Sequence, residues 1–145
     1  MEITIGAFDE AEAAIRAIRT AVFIDEQQVP LTEEFDEADR RCTHVVARIA
    51  GEPVGTGRLD VDGRVGRIAV LAPHRRTGVG RAVMAALEEV AIVRGHSRLH
   101  LGAQESAVPF YRDLGYDVCS AERWMEAGIP HVRMEKRVDT DSAAE

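Results

Sequence analysis

The sequence predicts an α+β fold in which a mixed, mostly antiparallel sheet of six to seven strands is flanked by about four helices. Two observations lead to this prediction. Three runs rich in β-branched residues lie close together between residues 43 and 71, and Asp62-Gly63 marks a hairpin turn between the last two. A segment with helical periodicity at residues 81–94 then leads into a short strand at residues 98–101, which predicts one parallel β-α-β crossover.

The N-terminal part is expected to begin with a strand at residues 3–7. A helix is predicted over residues 10–23, because apolar residues recur there at helical spacing, with Asp9 as N-cap and Glu12 completing a capping box. The acidic stretch at residues 25–41 follows as an irregular segment with room for a short second helix.

The central and C-terminal parts alternate between strands and helices. Gly95 and Gly115 each follow a helical segment and are typical of helix ends. In chain order, the predicted elements are strands at 43–49, 54–60 and 64–71, a helix at 81–94, a strand at 98–101, a helix at 106–114, and closing strands at 116–121 and 131–138.

The chain of 145 residues suits one domain, assigned to residues 1–138, with a disordered acidic tail at residues 139–145. The net charge of −7 argues against broad binding to nucleic-acid phosphates. No run approaches the about 20 apolar residues of a membrane-spanning helix, so no membrane partner is expected. The N-terminus lacks the pattern of a secretory signal. Cys42 and Cys119 form no CxxC pair, so we interpret them as reduced thiols of a cytoplasmic protein.

The most informative segment joins the third central strand to the next helix. It carries Arg75-x-x-Gly78-x-Gly80, and the helix follows at once. Glycines permit positive φ and close approach to a ligand, and the free N–H groups at a helix start favour an anion. Arg75, Arg76 and Arg81 add positive charge, so the segment predicts a pyrophosphate site. The alternative is a tight turn with solvated arginines, and neither GxxxxGKS/T nor GxGxxG is present.

Four sequence blocks, in chain order, carry a resemblance to a known family. Residues 23–30 read FxxEQxVP, and the Arg75-x-x-Gly78-x-Gly80 turn follows. Ala103-Gln104 then precedes the segment FYRDLGY at residues 110–116, and residues 128–134 read GIPHxxM. With these blocks the chain resembles the GNAT family of N-acetyltransferases, and within it small bacterial acyltransferases, from the first helix to the last strand.

The resemblance implies acetyl-CoA as co-substrate and no metal. It implies that Ile68, Ala69 and Val70 line the pantetheine arm, that Arg75, Arg76, Thr77, Gly78, Val79, Gly80 and Arg81 cradle the pyrophosphate, and that Gln104 replaces an asparagine that bonds the cofactor. Tyr111 matches the tyrosine that protonates or stabilises the departing thiolate. A core aromatic is the structural alternative for Tyr111. A backbone N–H at the end of the third central strand is expected to polarise the thioester carbonyl.

The general base is less clear, because many family members carry a glutamate on the strand before the tyrosine helix. Here that strand reads RLHLG and has none. Glu34 and His131 are taken as the catalytic candidates beside Tyr111, with Glu26 and His44 as further possibilities. Each has a structural alternative: a solvated acidic loop for the glutamates, a turn for His131 and an exposed strand end for His44. A water chain without a dedicated base is also open.

The function that follows is an acetyl-CoA-dependent N-acetyltransferase acting on the primary amine of a small molecule. The acidic residues between positions 33 and 39 favour a cationic acceptor if they line its cleft. The first alternative is a CoA-binding sensory or regulatory module without turnover, and the second is an interaction domain in which the turn binds nothing. The family resemblance also allows a homodimer.

Overall fold

The computed structural model describes residues 1–139 and contains one seven-stranded sheet. Its strands are β1 (Glu2–Ala7), β2 (Thr43–Ile49), β3 (Glu52–Leu59), β4 (Arg64–Val70), β5 (Arg98–Gln104), β6 (Asp117–Glu126) and β7 (Ile129–Arg137). They lie in the order β1-β2-β3-β4-β5-β7-β6, and β4–β5 is the one parallel pair in the described sheet. The predicted mixed α+β architecture is therefore confirmed. The expected tail lies outside the described residues except for Asp139.

The helical segments are α1 (Glu12–Arg19), α2 (Leu31–Glu34), α3 (Ala38–Arg41), α4 (Val79–Val93) and α5 (Val108–Asp113). Helix α1 runs directly into a π-helical segment, Thr20–Glu26, so the helical stretch extends beyond its predicted end. The predicted N-cap at Asp9 is wrong: α1 begins after Ala11, and the Glu10 carboxylate accepts a 2.9 Å hydrogen bond from the Ala7 N–H one turn earlier. No helix within residues 1–139 has the length and apolarity to cross a membrane.

The two longest helices cover opposite faces of the sheet. Val45 and Val46 are neighbours on β2 and therefore point to opposite faces. Val45 packs in the cluster that contains the buried side of α4, whereas Val46 packs with Ile15 and Ile18 of α1. On the α4 side a glycine is needed, because a Cβ on Gly55 would lie 2.6 Å from a methyl group of Val79. This close approach fixes the start of α4 against the sheet.

The functional region is created where β4 separates from β5. Their parallel pairing covers only Arg64 opposite His100 and Val65 opposite Leu101. Beyond this point β4 contains a bulge: two residues, Arg67 and Ile68, stand opposite the single residue that separates Thr56 from Arg58 on β3. Arg67 has a φ of 53°, in the left-handed region. The bulge re-aims β4 and leaves a cleft between the C-terminal ends of the two strands.

Candidate functional site

A cavity of about 950 Å³ occupies this cleft and extends over both strand ends. Its walls come from β4, the start of α4, the end of β5 and α5. The remaining walls come from the π-helical segment with the following residues up to Arg41, from Arg58 and Asp60 on and after β3, and from residues 126–131 at the β6–β7 turn. The predicted acceptor side and the predicted cofactor residues other than Thr77 and Val79 thus border one continuous space.

The turn before α4 forms the wall of the cavity at which the sequence predicts anion binding, and we refer to it as the anion-binding wall. Gly78 is the N-cap of α4 with a φ of 93°, a left-handed conformation that favours glycine. The first N–H groups of the helix, on Val79, Gly80 and Arg81, have no partner within the helix. Thr77 stabilises the turn by donating a hydrogen bond to the His74 carbonyl. The Val79 side chain is buried in the core, so only its backbone faces the turn.

Two arginines add charge to this wall. Arg76 and Arg81 are exposed and border the cavity, and neither forms an ion pair among residues 1–139. Together with the helix N-terminus they provide the positive potential that a phosphate group requires. Pyrophosphate binding by these residues stays a prediction.

Arg75 has a different role from the other two arginines. Its Nε donates to the Val70 carbonyl at 2.9 Å, and its two terminal nitrogens donate to the two carboxylate oxygens of Glu26, each at 2.7 Å. The hydrogen bonds from Arg75 lower the pKa of Glu26. Glu26 is therefore held ionised against a guanidinium, which makes it a poor proton acceptor.

The opposite walls hold the other predicted cofactor residues. Ile68, Ala69 and Val70 border the cavity along the part of β4 that has no β5 partner. At the end of β5, the Gln104 amide nitrogen donates a 2.9 Å hydrogen bond to the side-chain oxygen of Gln27. The strand end and the residue after the π-helical segment are thus joined directly.

Tyr111 lies on α5 and borders the cavity. Its side chain is 9% exposed, packed between the rings of Phe110 and Tyr116 at centroid distances of 5.0 and 6.0 Å. Burial raises the pKa of Tyr111 above its ordinary value. The phenol therefore keeps its proton at neutral pH and is a hydrogen-bond donor toward the cavity. Tyr111 is packed as a core aromatic, as its structural alternative predicts, and it borders the cavity; its role toward a leaving group stays a prediction.

His131 lies on β7, within the strand predicted at residues 131–138 and directly opposite Gln104 in the β5–β7 ladder, whereas the turn that was its structural alternative precedes it at residues 127–128. Its Nδ1 lies 2.7 Å from the Ile129 carbonyl oxygen. A carbonyl only accepts, so Nδ1 carries the hydrogen and Nε2 of the neutral ring has the free lone pair. The imidazole stacks on Trp124, with 6.0 Å between centroids, and the Trp124 ring covers Gly102. His131 is therefore rigidly held and borders the cavity.

Glu34 belongs to a buried ion-pair cluster below the acceptor side of the cavity. Arg19, which is fully buried, donates to Glu34 at 2.7 Å and to Asp39 at 2.7 Å. Arg58 lies 2.6 Å from Asp39 and 2.9 Å from the Asp36 carboxylate. The predicted acidic loop is therefore largely neutralised by arginines from α1, β3 and β4.

Burial and charge act differently on the two buried carboxyl groups. Burial raises the pKa of Glu34, and the nearby Arg19 and Arg67 only partly offset it. Burial also opposes ionisation of Asp39, but hydrogen bonds and charge from Arg19 and Arg58 outweigh it and lower its pKa. Glu34 borders the cavity, but its carboxylate is already bound by Arg19 and lies 3.5 Å from Arg67.

Arg67, at the β4 bulge, fastens the acidic segment to the sheet. It donates to the carbonyl oxygens of Glu33 and Glu34, each at 3.1 Å, and to the Asp36 carboxylate at 3.3 Å. Helix α2 and the residues after it are thus held over the cavity by a side chain of the strand that forms its floor. Sequence reasoning did not single out Arg67, because nothing local marks a bulge at this arginine.

His44 is not available as a base. It is buried beside Phe8, and its Nε2 lies 2.9 Å from the Asp39 carbonyl, so this nitrogen donates. Burial lowers the pKa of His44, which keeps the ring neutral. The expectation that His44 faces solvent at a strand end is wrong, because residues 36–41 cover this end of β2.

Comparison with known proteins identifies a family for this chain. Residues 8–138 match the family described as Acetyltransferase (GNAT) domain. The chain is 45% identical over 122 residues to the Bacillus subtilis (strain 168) protein called Uncharacterized N-acetyltransferase YjcF, covering 82% of this chain and 87% of that protein.

Solved structures show the same fold. Escherichia coli ElaA superposes with a TM-score of 0.83 at 25% identity, covering 94% of this chain and 100% of that one. An aminoglycoside 6'-N-acetyltransferase complexed with coenzyme A gives a TM-score of 0.70 at 15% identity, covering 95% of this chain and 97% of that one, a likeness of fold alone.

Proposed function

Because the chain belongs to the GNAT acetyltransferase family, we propose that it transfers the acetyl group of acetyl-CoA to the primary amine of a small cationic molecule. The observation that carries this proposal is the continuous cavity that connects the α4 N-terminus with Tyr111 and His131. One end of the cavity suits phosphate groups and the other contains a proton donor and a proton acceptor. An acyl transfer between a phosphate-bearing thioester and an amine needs these two ends in one space.

The cofactor side is proposed to work through backbone and charge. The N–H groups at the start of α4, with Arg76 and Arg81, are proposed to bind the pyrophosphate of acetyl-CoA. The unpaired part of β4 is proposed to contact the pantetheine arm, which is an amide-containing chain that can hydrogen-bond along a strand edge. Gln104 is proposed as a side-chain contact of the same arm, and Arg75 as an indirect contributor through its pair with Glu26.

The chemical step requires one bond to form and one to break. The amine nitrogen bonds to the thioester carbonyl carbon, the carbon–sulfur bond breaks, the amine loses a proton and the thiolate gains one. We assign proton removal to Nε2 of His131, because Nδ1 is committed to the Ile129 carbonyl. Tyr111 is assigned as donor to the departing sulfur, because burial keeps its hydroxyl protonated. Glu34, bound by Arg19, is proposed to assist only by holding the acceptor side in position.

The acceptor is proposed to be cationic because of one carboxylate at the cavity, and not because of the acidic composition of residues 33–39 as a whole. Asp36 and Asp39 are paired with arginines, whereas Glu33 borders the cavity and has no ion pair in the described part of the chain. Glu33→Gln is expected to raise KM for a cationic amine about threefold or more and to leave KM for acetyl-CoA unchanged. Glu37→Gln, an equally exposed carboxylate that does not border the cavity, is the matched control.

The first test is calorimetric titration with acetyl-CoA, with ATP and NAD as controls. Selective binding of acetyl-CoA supports the assignment, and its absence overturns it. An amine panel with thiol release as readout follows. His131→Asn keeps a donor for the Ile129 carbonyl but removes the base, so kcat is expected to fall by about 10²-fold or more, with acetyl-CoA affinity retained. Tyr111→Phe tests the leaving-group role in the same assay. Binding without turnover of any amine supports the alternative, a CoA-binding regulatory module.

Location and assembly are separate proposals. A cytoplasmic location is proposed because Cys42 and Cys119 are free thiols, which persist in a reducing compartment. Cell fractionation tests it. The homodimer that the family resemblance allows is tested by sedimentation velocity of the purified protein.

A further inference from the structure

The two strand ends that border the cavity are not joined by backbone pairing. The β4–β5 ladder stops at Val65 and Leu101, and both strands run on for several residues after it. Parallel strands that part in this way need another contact to fix the width of the cleft between them. Any ligand that lies along β4 in the cleft depends on that width, because it must touch both walls at once.

One wall is connected to the π-helical segment through charge. Arg75 donates to the carbonyl of Val70, the last residue of β4, and its terminal nitrogens form a two-point pair with Glu26 at 2.7 Å each. Two parallel charge-assisted hydrogen bonds fix the orientation of both groups more firmly than a single contact. The end of β4 is thereby tied to the last residue of the π-helical segment.

The other wall is connected to the next residue of the same segment. Gln27 accepts a 2.9 Å hydrogen bond from Gln104, the last residue of β5. The Gln27 backbone is itself anchored, because its N–H donates to the Val22 carbonyl at 3.1 Å and Val22 is buried in the core. Glu26 and Gln27 are adjacent in sequence, so two neighbouring side chains span the cleft from one strand end to the other.

We propose that Glu26 and Gln27 form a bridge that sets the separation of the β4 and β5 ends, and that Arg75 acts as part of this bridge and not as a direct phosphate ligand. The inference rests on the proposed function, because it concerns how the cofactor side of that site is positioned. Glu26 and Gln27 are positioning residues that act through Arg75 and Gln104. The positive charge that faces a phosphate then comes from Arg76 and Arg81.

The Arg75 arm is tested by a double-mutant cycle on acetyl-CoA affinity, measured by calorimetry. If Arg75 acts through Glu26, Glu26→Gln and Arg75→Gln each raise Kd by about fivefold, and the double variant is no weaker than either single one. If Arg75 contacts the phosphate directly, Glu26→Gln releases it and tightens binding, and Arg75→Gln alone carries the loss. That second pattern overturns the proposal. Asp25→Asn, an exposed carboxylate beside Glu26, is the control and is expected to bind normally.

The Gln104 arm is tested by two substitutions of similar size at Gln27. Gln27→Leu removes the acceptor, so KM for acetyl-CoA is expected to rise by about fivefold while kcat changes by less than twofold. Gln27→Glu keeps an oxygen that accepts from Gln104 and is expected to restore most of the affinity. Equal affinity of Gln27→Leu and the unaltered protein overturns the proposal, as does a Gln27→Glu variant no better than Gln27→Leu.

Failure of the bridge and failure of the proposed function give different results. If the unaltered protein does not bind acetyl-CoA, the function is wrong whatever the variants do. If it binds but the cycle is additive, the function stands and the bridge is wrong. Urea unfolding of each variant shows that the fold is intact, because the bridge residues are exposed or half-buried and their loss should leave the unfolding midpoint almost unchanged.

Discussion

The substitution Arg19→Met tests how much the buried ion pairs of Arg19, below the predicted acceptor side of the cavity, contribute to the stability of the fold. Met keeps the unbranched apolar stem but removes the guanidinium. The carboxylates of Glu34 and Asp39, 3% and 2% exposed, then lose a partner at 2.7 Å. Breaking a buried ion pair on one side costs about 3 to 5 kcal/mol. Asp39 retains Arg58 at 2.6 Å and Glu34 retains Arg67 at 3.5 Å, so we expect the lower figure, about 3 kcal/mol.

Arg16→Met is a matched control on the same helix. Arg16 and Arg19 both lie 4.6 Å from the centre of the Phe35 ring, so both variants lose this cation–π contact, and Arg16→Met also loses a contact at 5.6 Å from the centre of the Phe8 ring. Arg16 pairs only with Glu12, and both side chains are more than 40% exposed. Such surface pairs contribute about 0.5 kcal/mol. The excess loss in Arg19→Met over Arg16→Met therefore reports on the buried contacts of Arg19, which are the two ion pairs and a 2.6 Å hydrogen bond to the Glu34 carbonyl.

The assay is urea unfolding followed by circular dichroism. A loss of about 3 kcal/mol is a large part of the about 5 to 15 kcal/mol that stabilises a typical domain, and corresponds to about 10 °C in Tm at this chain length. Arg19→Met should show this loss and Arg16→Met should stay within about 1 kcal/mol of the unaltered protein. A loss below about 1 kcal/mol for Arg19→Met, or equal losses for both, refutes the reasoning from burial.

Three other predictions concern acid stability and the anion-binding wall. The pKa of Asp39 is lowered in the folded state, so the ionised carboxylate stabilises the fold at pH values above the ordinary pKa of an aspartate. This stabilisation disappears as the pH falls through the lowered pKa. Asp39→Asn should therefore reduce the loss of stability that urea titrations show between about pH 4 and pH 2. Gly78→Ala places a side chain at a φ of 93°, which should lower the free energy of unfolding by about 1 kcal/mol in urea unfolding. The same variant should bind acetyl-CoA more weakly in calorimetry, and normal affinity would show that the turn does not contact the ligand. Arg76→Glu should weaken acetyl-CoA binding about tenfold or more and reduce its salt dependence, whereas Arg94→Glu at the far end of α4 should not.

Local signals in the sequence were sufficient for most of the fold. Each signal depends only on residues that are close in sequence: the Asp62-Gly63 turn, the glycines after α4 and α5, and the β-branched runs. The strands and helices that these signals predict are present. Boundaries were less predictable: β5 continues to Gln104 and β6 to Glu126, because pairing with β7 extends both strands beyond their apolar runs. A strand that pairs with residues far away in sequence shows no local sequence signal of where that pairing ends.

The anion-binding turn was predictable and the buried cluster was not. The turn is a continuous segment whose glycines and arginines act together. The cluster brings Arg19, Glu34, Asp39, Arg58 and Arg67 together from five elements. One signal was available: Arg19 falls four residues after Ile15 and three before Val22, on the apolar stripe of α1. A charged residue on a buried stripe requires a buried partner, and the acidic segment is its source.

The same topology accounts for the absence of an acidic base on β5. Leu99 is fully buried in the core packed against α4, and Leu101, 3% exposed, packs in the same core and also borders the cavity, so an ionisable side chain at either position would be largely removed from solvent. The alternate positions Gly102 and Gln104 face the cavity side, where Trp124 covers Gly102. The proton acceptor that we propose lies on the neighbouring strand. β7 supplies His131 opposite Gln104, and its Nδ1 contact to Ile129 orients the ring without using Nε2. In the proposed function, proton removal and cofactor contact belong to paired residues of two adjacent strands, so the β5–β7 register is the feature that we propose aligns the two halves of the site.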